Sequence, residues 1–131
     1  MGKYLERARE LRSGKFGHIN CAQSVLIPFA EEAGIGEEEA QKLTGLYGSG
    51  MGIGSTCGAV SGALMVLGLL HPNPEEGRRE FMARFRSEHN NLSNCPDLLR
   101  VSKEKGLERK CHCDGLVYEA VSILEELLEK R

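Results

Sequence analysis

Three observations predict an all-α fold, a compact bundle of about six to seven helices around a buried, Gly/Ala-rich central helix. Apolar residues recur at helical spacing in one segment after another. Glycine, proline or asparagine punctuates the segment boundaries. Strict apolar/polar alternation is missing except in one Gly-rich loop, so no strand is expected.

The segments follow in order. Lys3–Arg12 is charged, with Leu5, Ala8 and Leu11 on one face, and Ser13 and Gly14 stop it. Asn20 is a plausible N-cap for a second helix, Cys21–Ala33, in which Pro28 should cause a kink or a split. Gly36–Leu46 carries Glu37, Glu38 and Glu39 in its first turn, as the helix dipole prefers. Ser55 or Thr56 can cap the central helix, Cys57–Leu70, and the stretch from His71 to Pro74 ends it. Gly54, Gly58 and Gly62 recur there at every fourth residue, a smooth stripe that invites close packing or a close ligand. Pro74–His89 presents Phe81, Met82 and Phe85, Pro96–Lys105 is short, and Cys113–Lys130 turns a row of Leu, Val and Ile inward.

The chain of 131 residues is read as one domain, 1–131. A net charge of -2 gives no general pull toward nucleic acid or an anionic membrane, so neither is expected as a partner. The only long uncharged stretch, Leu43–Pro74, is Gly- and Ser-rich in its first half. Its continuously apolar part, Ala59–Leu70, falls short of the ~20 residues a spanning helix needs. The first residues lack the apolar core of a secretory signal, and five cysteines at wide spacings do not form a secreted disulfide framework. A cytoplasmic location is expected.

The chemistry lies in the cysteines and in Gly45–Gly68, a run holding eight of the chain's 16 glycines. Cys21, Cys57, Cys95 and Cys113 each fall at the start of an expected helix. A thiol there sits near free backbone N–H groups that favour thiolate. Cys57, where loop becomes helix, is the leading candidate for a reactive thiolate, with Cys21, Cys95 and Cys113 as partners. For any single one of these cysteines, burial as a small hydrophobe is the simpler reading; for the set, shared chemistry is. Cys111, two residues before Cys113, adds a fifth thiol, and His112 and His18 are candidate bases or ligands. The loop is not a P-loop, because no lysine lies between Lys42 and Lys103, and its spacing fails the dinucleotide fingerprint. Backbone amides around Gly50, Gly52, Gly54 and Gly58 could still hold an anionic ligand or cofactor.

Asn20 to Val25, Gly50 to Gly52, Thr56 to Ala59, Gly62 and Ala63, and the lone downstream cysteines together resemble the C_GCAxxG_C_C family. That family is named for its cysteine and glycine pattern and is suspected of redox activity. The resemblance runs from about Gly17 to the end, with Asn20 standing where the family pattern has Gly. It maps the family's cysteines onto Cys21, Cys57, Cys95 and Cys113 and leaves Cys111 as an extra thiol. It implies a small helical protein with thiol or metal redox chemistry. The residues leave three readings open. The first is a thiol-dependent oxidoreductase working by thiol–disulfide exchange with an unknown redox partner. The second is a metal or iron–sulfur electron carrier ligated by Cys21, Cys57, Cys95 and Cys113, with Cys111 as a further ligand. The third is an interaction module with buried cysteines. The glycine stripe and the uncharged central helix also leave room for a homodimer.

Overall fold

The computed structural model describes residues 2–129. It is all-α: α1 Lys3–Arg12, α2 Cys21–Leu26, α3 Glu37–Leu43, α4 Gly58–Leu70, α5 Pro74–Glu88, α6 Cys95–Glu104 and α7 Arg109–Glu129. Among the described residues there is no strand. Helices α2, α4 and α7 pack on one another at the centre, with α1, α5 and α6 laid against α7. The core they enclose includes the fully buried Phe29, Phe81, Phe85, Leu67, Leu124 and Leu127.

Each boundary has a local cause. Asn20 caps α2 through a complete capping box: its side-chain oxygen accepts from the Gln23 amide, and the Gln23 side chain accepts from the Asn20 amide. The Asn20 Nδ2 also donates to the Thr44 and Gly45 carbonyls, at 3.2 and 3.3 Å, tying the start of α2 to the end of α3. Pro28 splits the second helix as expected, leaving α2 and a 3-10 turn, Ile27–Phe29. Asn20→Ala should therefore cost about 1–2 kcal/mol, the upper part of the range for a lost cap, because two further bonds go with it. Urea unfolding checks this, and an unchanged midpoint would contradict it.

Helix α4 is the central element, and the partner of its glycine stripe is α2. A Cβ on Gly58 would lie 3.0 Å from the Ala22 nitrogen and 3.2 Å from the Cys21 Cβ, and one on Gly62 would lie 2.8 Å from the Ala22 carbonyl oxygen. Two helices approach this closely only where one lacks side chains. Because α2 fills the stripe from within the chain, Gly58 and Gly62 are buried and offer no surface to a second copy.

Four helix starts differ from the sequence expectation. Helix α3 begins at Glu37 rather than Gly36, and α6 at Cys95 rather than Pro96. The cap of α4 is Cys57 itself rather than Ser55 or Thr56. Those two residues are taken up in an isolated antiparallel bridge between Thr56 and Asn94. The Cys57 amide donates to the Ser93 carbonyl and the Cys95 amide to the Ser55 carbonyl, both at 2.8 Å. The bridge thus fastens the N-termini of α4 and α6 side by side. Helix α7 starts at Arg109 rather than at Cys113, since the Glu108 carbonyl already accepts from the His112 amide. Its far end was expected at Lys130, which lies outside the described residues.

Candidate functional site

Four elements bring four thiols to one pocket of about 460 Å³ lined by Cys21, Cys57, Cys95 and Cys113. Cys21 is the first residue of α2, Cys57 caps α4 and Cys95 is the first residue of α6. Cys113 lies one turn inside α7, so three of the four thiols, not all four, stand at helix starts. The close approach at Gly58 sets the α4 terminus against Cys21, and the Thr56–Asn94 bridge sets Cys95 beside Cys57. All five cysteines are free thiols, and Cys111 is exposed on α7, away from the pocket.

Of the glycines expected to hold a ligand, Gly58 lines the pocket together with Gly48 and Ser49. Gly50, Gly52 and Gly54 do not. They form a tight turn in which Gly50 has φ +63 and its carbonyl accepts from the Ser55 amide. The role of that turn is to reverse the chain ahead of Cys57. A Cβ at Gly50 would stand 2.5 Å from the Ser55 carbonyl oxygen, so only glycine fits.

The thiols have very different acidities. Cys113 is lowered to about 6. The largest cause is a hydrogen bond from the Cys21 thiol; burial opposes it, and the charges of Arg12 and Arg109 add to it, with a further hydrogen bond from Arg109. Cys21 is pushed well up, first because its proton is the one donated to Cys113, then by burial and by the neighbouring thiolate. One proton is thus held between two sulfurs, and Cys113, the less buried and closer to two guanidinium groups, carries the charge. Cys57 is pushed up to about 11 by burial, although the Ala59 and Val60 amides favour its thiolate. Burial therefore outweighs the helix end at Cys57, whereas the surroundings of Cys113 shift that thiol toward the thiolate. Cys95 is also raised by burial and by the Cys113 charge, with Arg109 opposing.

The cations around Cys113 are placed by their own contacts. Arg12 Nε bonds Asp114 at 2.7 Å and its Nη1 donates to the Ile19 carbonyl at 2.7 Å. Lys110 Nζ bonds the other Asp114 oxygen at 2.9 Å and the Arg12 carbonyl at 2.8 Å. Burial disfavours the Asp114 carboxylate, but hydrogen bonds from Lys110 and Arg12 hold it below the usual range. Arg109 donates to the Ser49 hydroxyl at 3.3 Å. His18 and His112 both line the pocket, and burial pushes the His112 imidazole toward its neutral form.

The sequence reading missed Arg12, Arg109, Lys110 and Asp114. Arg109 stands four residues before Cys113 on the same helix face, a signal hidden by starting that helix at Cys113. Arg12, on α1, has no such signal. As for a metal, among the described residues no three His, Cys, Asp or Glu side chains form a group able to hold an ion. Cys21, Cys57, Cys95 and Cys113 line the pocket, and Cys111 does not. No helix of the described residues is long and apolar enough to cross a membrane.

No curated protein and no solved structure matches the chain. A family model described as "Putative redox-active protein (C_GCAxxG_C_C)" matches residues 19–127, which takes in Cys21, Cys57, Cys95 and Cys113 but not the pocket residues contributed by Leu11 to His18. By that match the chain belongs to the C_GCAxxG_C_C family.

Proposed function

We propose that the protein is a cytoplasmic thiol–disulfide oxidoreductase in which Cys113 is the nucleophile and Cys21 the resolving thiol. The observation that carries this reading is the placement of Cys21 and Cys113 in one pocket with Arg12 and Arg109, surroundings that lower the Cys113 thiol and raise Cys21. The Cys113 thiolate attacks one sulfur of a disulfide, forming a mixed disulfide and releasing one thiolate. Cys21 then has neither a thiolate to donate to nor a like charge beside it, the first and third causes of its weak acidity. It can give its proton to the departing thiolate, attack the Cys113 sulfur and release the second half as thiolate. The balance is one substrate disulfide reduced by two electrons to a thiol and a thiolate, and one Cys21–Cys113 disulfide formed. Cys57 and Cys95, both of raised pKa, remain thiols and close the pocket wall.

The test is to treat the reduced protein with one equivalent of a small disulfide, block free thiols and map the cross-link by mass spectrometry. The expected product is Cys21–Cys113, and Cys113→Ser should form no such cross-link and should lose turnover, since the attacking thiolate is gone. A Cys57–Cys95 product with Cys21 and Cys113 still free would overturn the assignment. So would stoichiometric iron or zinc in protein purified without oxygen.

A further inference from the structure

Apart from the Cys113 thiolate, the charges lining the pocket have one sign. Arg12, Arg109 and Lys110 contribute to its wall, and no Asp or Glu does. Asp114 lies behind the wall and is occupied by Arg12 and Lys110, one oxygen each. Arg109 is different: among the ion pairs of the described residues none involves it, and its partners are the neutral Ser49 hydroxyl and the Cys113 sulfur. A guanidinium with no carboxylate, exposed and lining the same pocket as the thiol pair, is a fork open to a carboxylate. The rest of the wall is apolar, from Leu11, Leu98, Leu99 and Leu116. A volume of about 460 Å³ lies in the ordinary range for small-molecule sites. The half-buried position of Cys21 and Cys113 below these side chains suits a narrow ligand better than a disulfide fixed in a folded protein.

Building on the dithiol reading above, we propose that the substrate is a small disulfide carrying carboxylates, and that Arg109 holds one of them while the pocket receives the sulfur pair. The step is the one already balanced. The Cys113 thiolate takes one substrate sulfur, the other leaves as thiolate with its own carboxylate, and Cys21 displaces the first half. The pocket's charge also changes during the reaction. In the reduced protein the Cys113 thiolate is its resident anion; once that sulfur is bonded, Arg109 has no anionic partner left. Oxidised or Cys113-neutral protein should therefore hold a dianion more tightly than reduced protein does.

Two measurements test this. In the first, reduced protein at low ionic strength meets 3,3′-dithiodipropionate, with two carboxylates, or cystamine, with two ammonium groups. Each rate is divided by that of 2-mercaptoethanol with the same disulfide, which removes the reactivity of the probe. The anionic disulfide should be favoured by about tenfold, equivalent to about 1.4 kcal/mol. Salt should erode the preference as the charges are screened. Arg109→Lys should keep most of it and Arg109→Glu should reverse it. A ratio is used because Arg109 also acts on the acidity of Cys113, and that effect cancels between two probes attacked by the same thiolate. The second measurement is calorimetric binding of octanedioate, which has the length of dithiodipropionate without its sulfurs. It should bind Cys113→Ser severalfold more tightly than reduced wild type and bind Arg109→Glu least.

Equal corrected rates for the two probes, or a ratio indifferent to Arg109→Glu, would overturn the substrate assignment while leaving the dithiol chemistry in place. Octanedioate binding that needs Arg109, in a protein that reduces neither disulfide, would leave the anion site and overturn the chemistry. Octanedioate binding no better to Cys113→Ser than to reduced wild type would overturn the charge exchange at Cys113.

Discussion

In Cys21→Ala the pH midpoint for Cys113 alkylation should move up from about 6 by more than one unit, toward the ordinary thiol range of about 8.5. The sign follows from the cause. The largest influence lowering Cys113 is the hydrogen bond that Cys21 donates, and a methyl group donates nothing. Cys21→Ser keeps a hydroxyl donor at the same place and should hold the midpoint close to the wild-type value. The rate at pH 7 is the wrong quantity to compare. A two-unit rise cuts the thiolate fraction at that pH by about tenfold, but a more basic thiolate is intrinsically more nucleophilic, with a Brønsted coefficient of about 0.4–0.5, so the two effects nearly cancel and the rate changes by less than about twofold. The midpoint, read from a pH series with iodoacetamide, separates the cases. Both variants should also stall with a mixed disulfide at Cys113, because the resolving thiol is gone. A midpoint in Cys21→Ala indistinguishable from wild type would mean that Arg12 and Arg109 alone set the acidity of Cys113.

The helices were legible because their signals are local. The Asn20 cap, the split at Pro28 and the acidic first turn of α3 are each decided within a few residues, and all stand in the structure. The stripe of Gly58 and Gly62 announced a close approach but not its partner, since the sequence holds no mark linking it to Ala22. The four cysteines were legible as a set, but not which of them carries the charge. The helix-end argument favoured Cys57, and it omitted desolvation, which depends on how much of the core closes over the sulfur and here wins. Cys113 is acidic through Cys21, Arg12 and Arg109, two of which come from other helices. The Thr56–Asn94 bridge joins segments 38 residues apart with one pair of hydrogen bonds, too short for any periodic signal.

Gly62→Val should produce the largest loss of stability, about 3 kcal/mol, and should disturb the thiol pair with it. A Cβ at Gly62 meets the Ala22 carbonyl oxygen at 2.8 Å and the Val25 Cβ at 3.1 Å. The first obstacle is backbone, which cannot rotate aside, so α2 and α4 must separate. Alanine at this site sets two effects against each other: helix propensity gains about 1 kcal/mol, while overpacking costs about 1–3 kcal/mol, so Gly62→Ala should be a net loss of up to about 2 kcal/mol. Valine adds two methyl groups in the same space and removes most of the propensity gain. Gly68→Ala, in the same helix but exposed and with nothing within 4 Å of its Cβ, should have the opposite sign and stabilise by up to about 1 kcal/mol. Urea unfolding of the three variants therefore tests the contact rather than the residue type. The link to the site is Cys21, the first residue of the helix that valine displaces. Moving α2 off α4 draws the Cys21 thiol away from Cys113, so the Cys113 alkylation midpoint in folded Gly62→Val should shift upward, as in Cys21→Ala. A destabilised Gly62→Val whose midpoint stays near 6 would show that the thiol pair is held by contacts other than the α2–α4 packing.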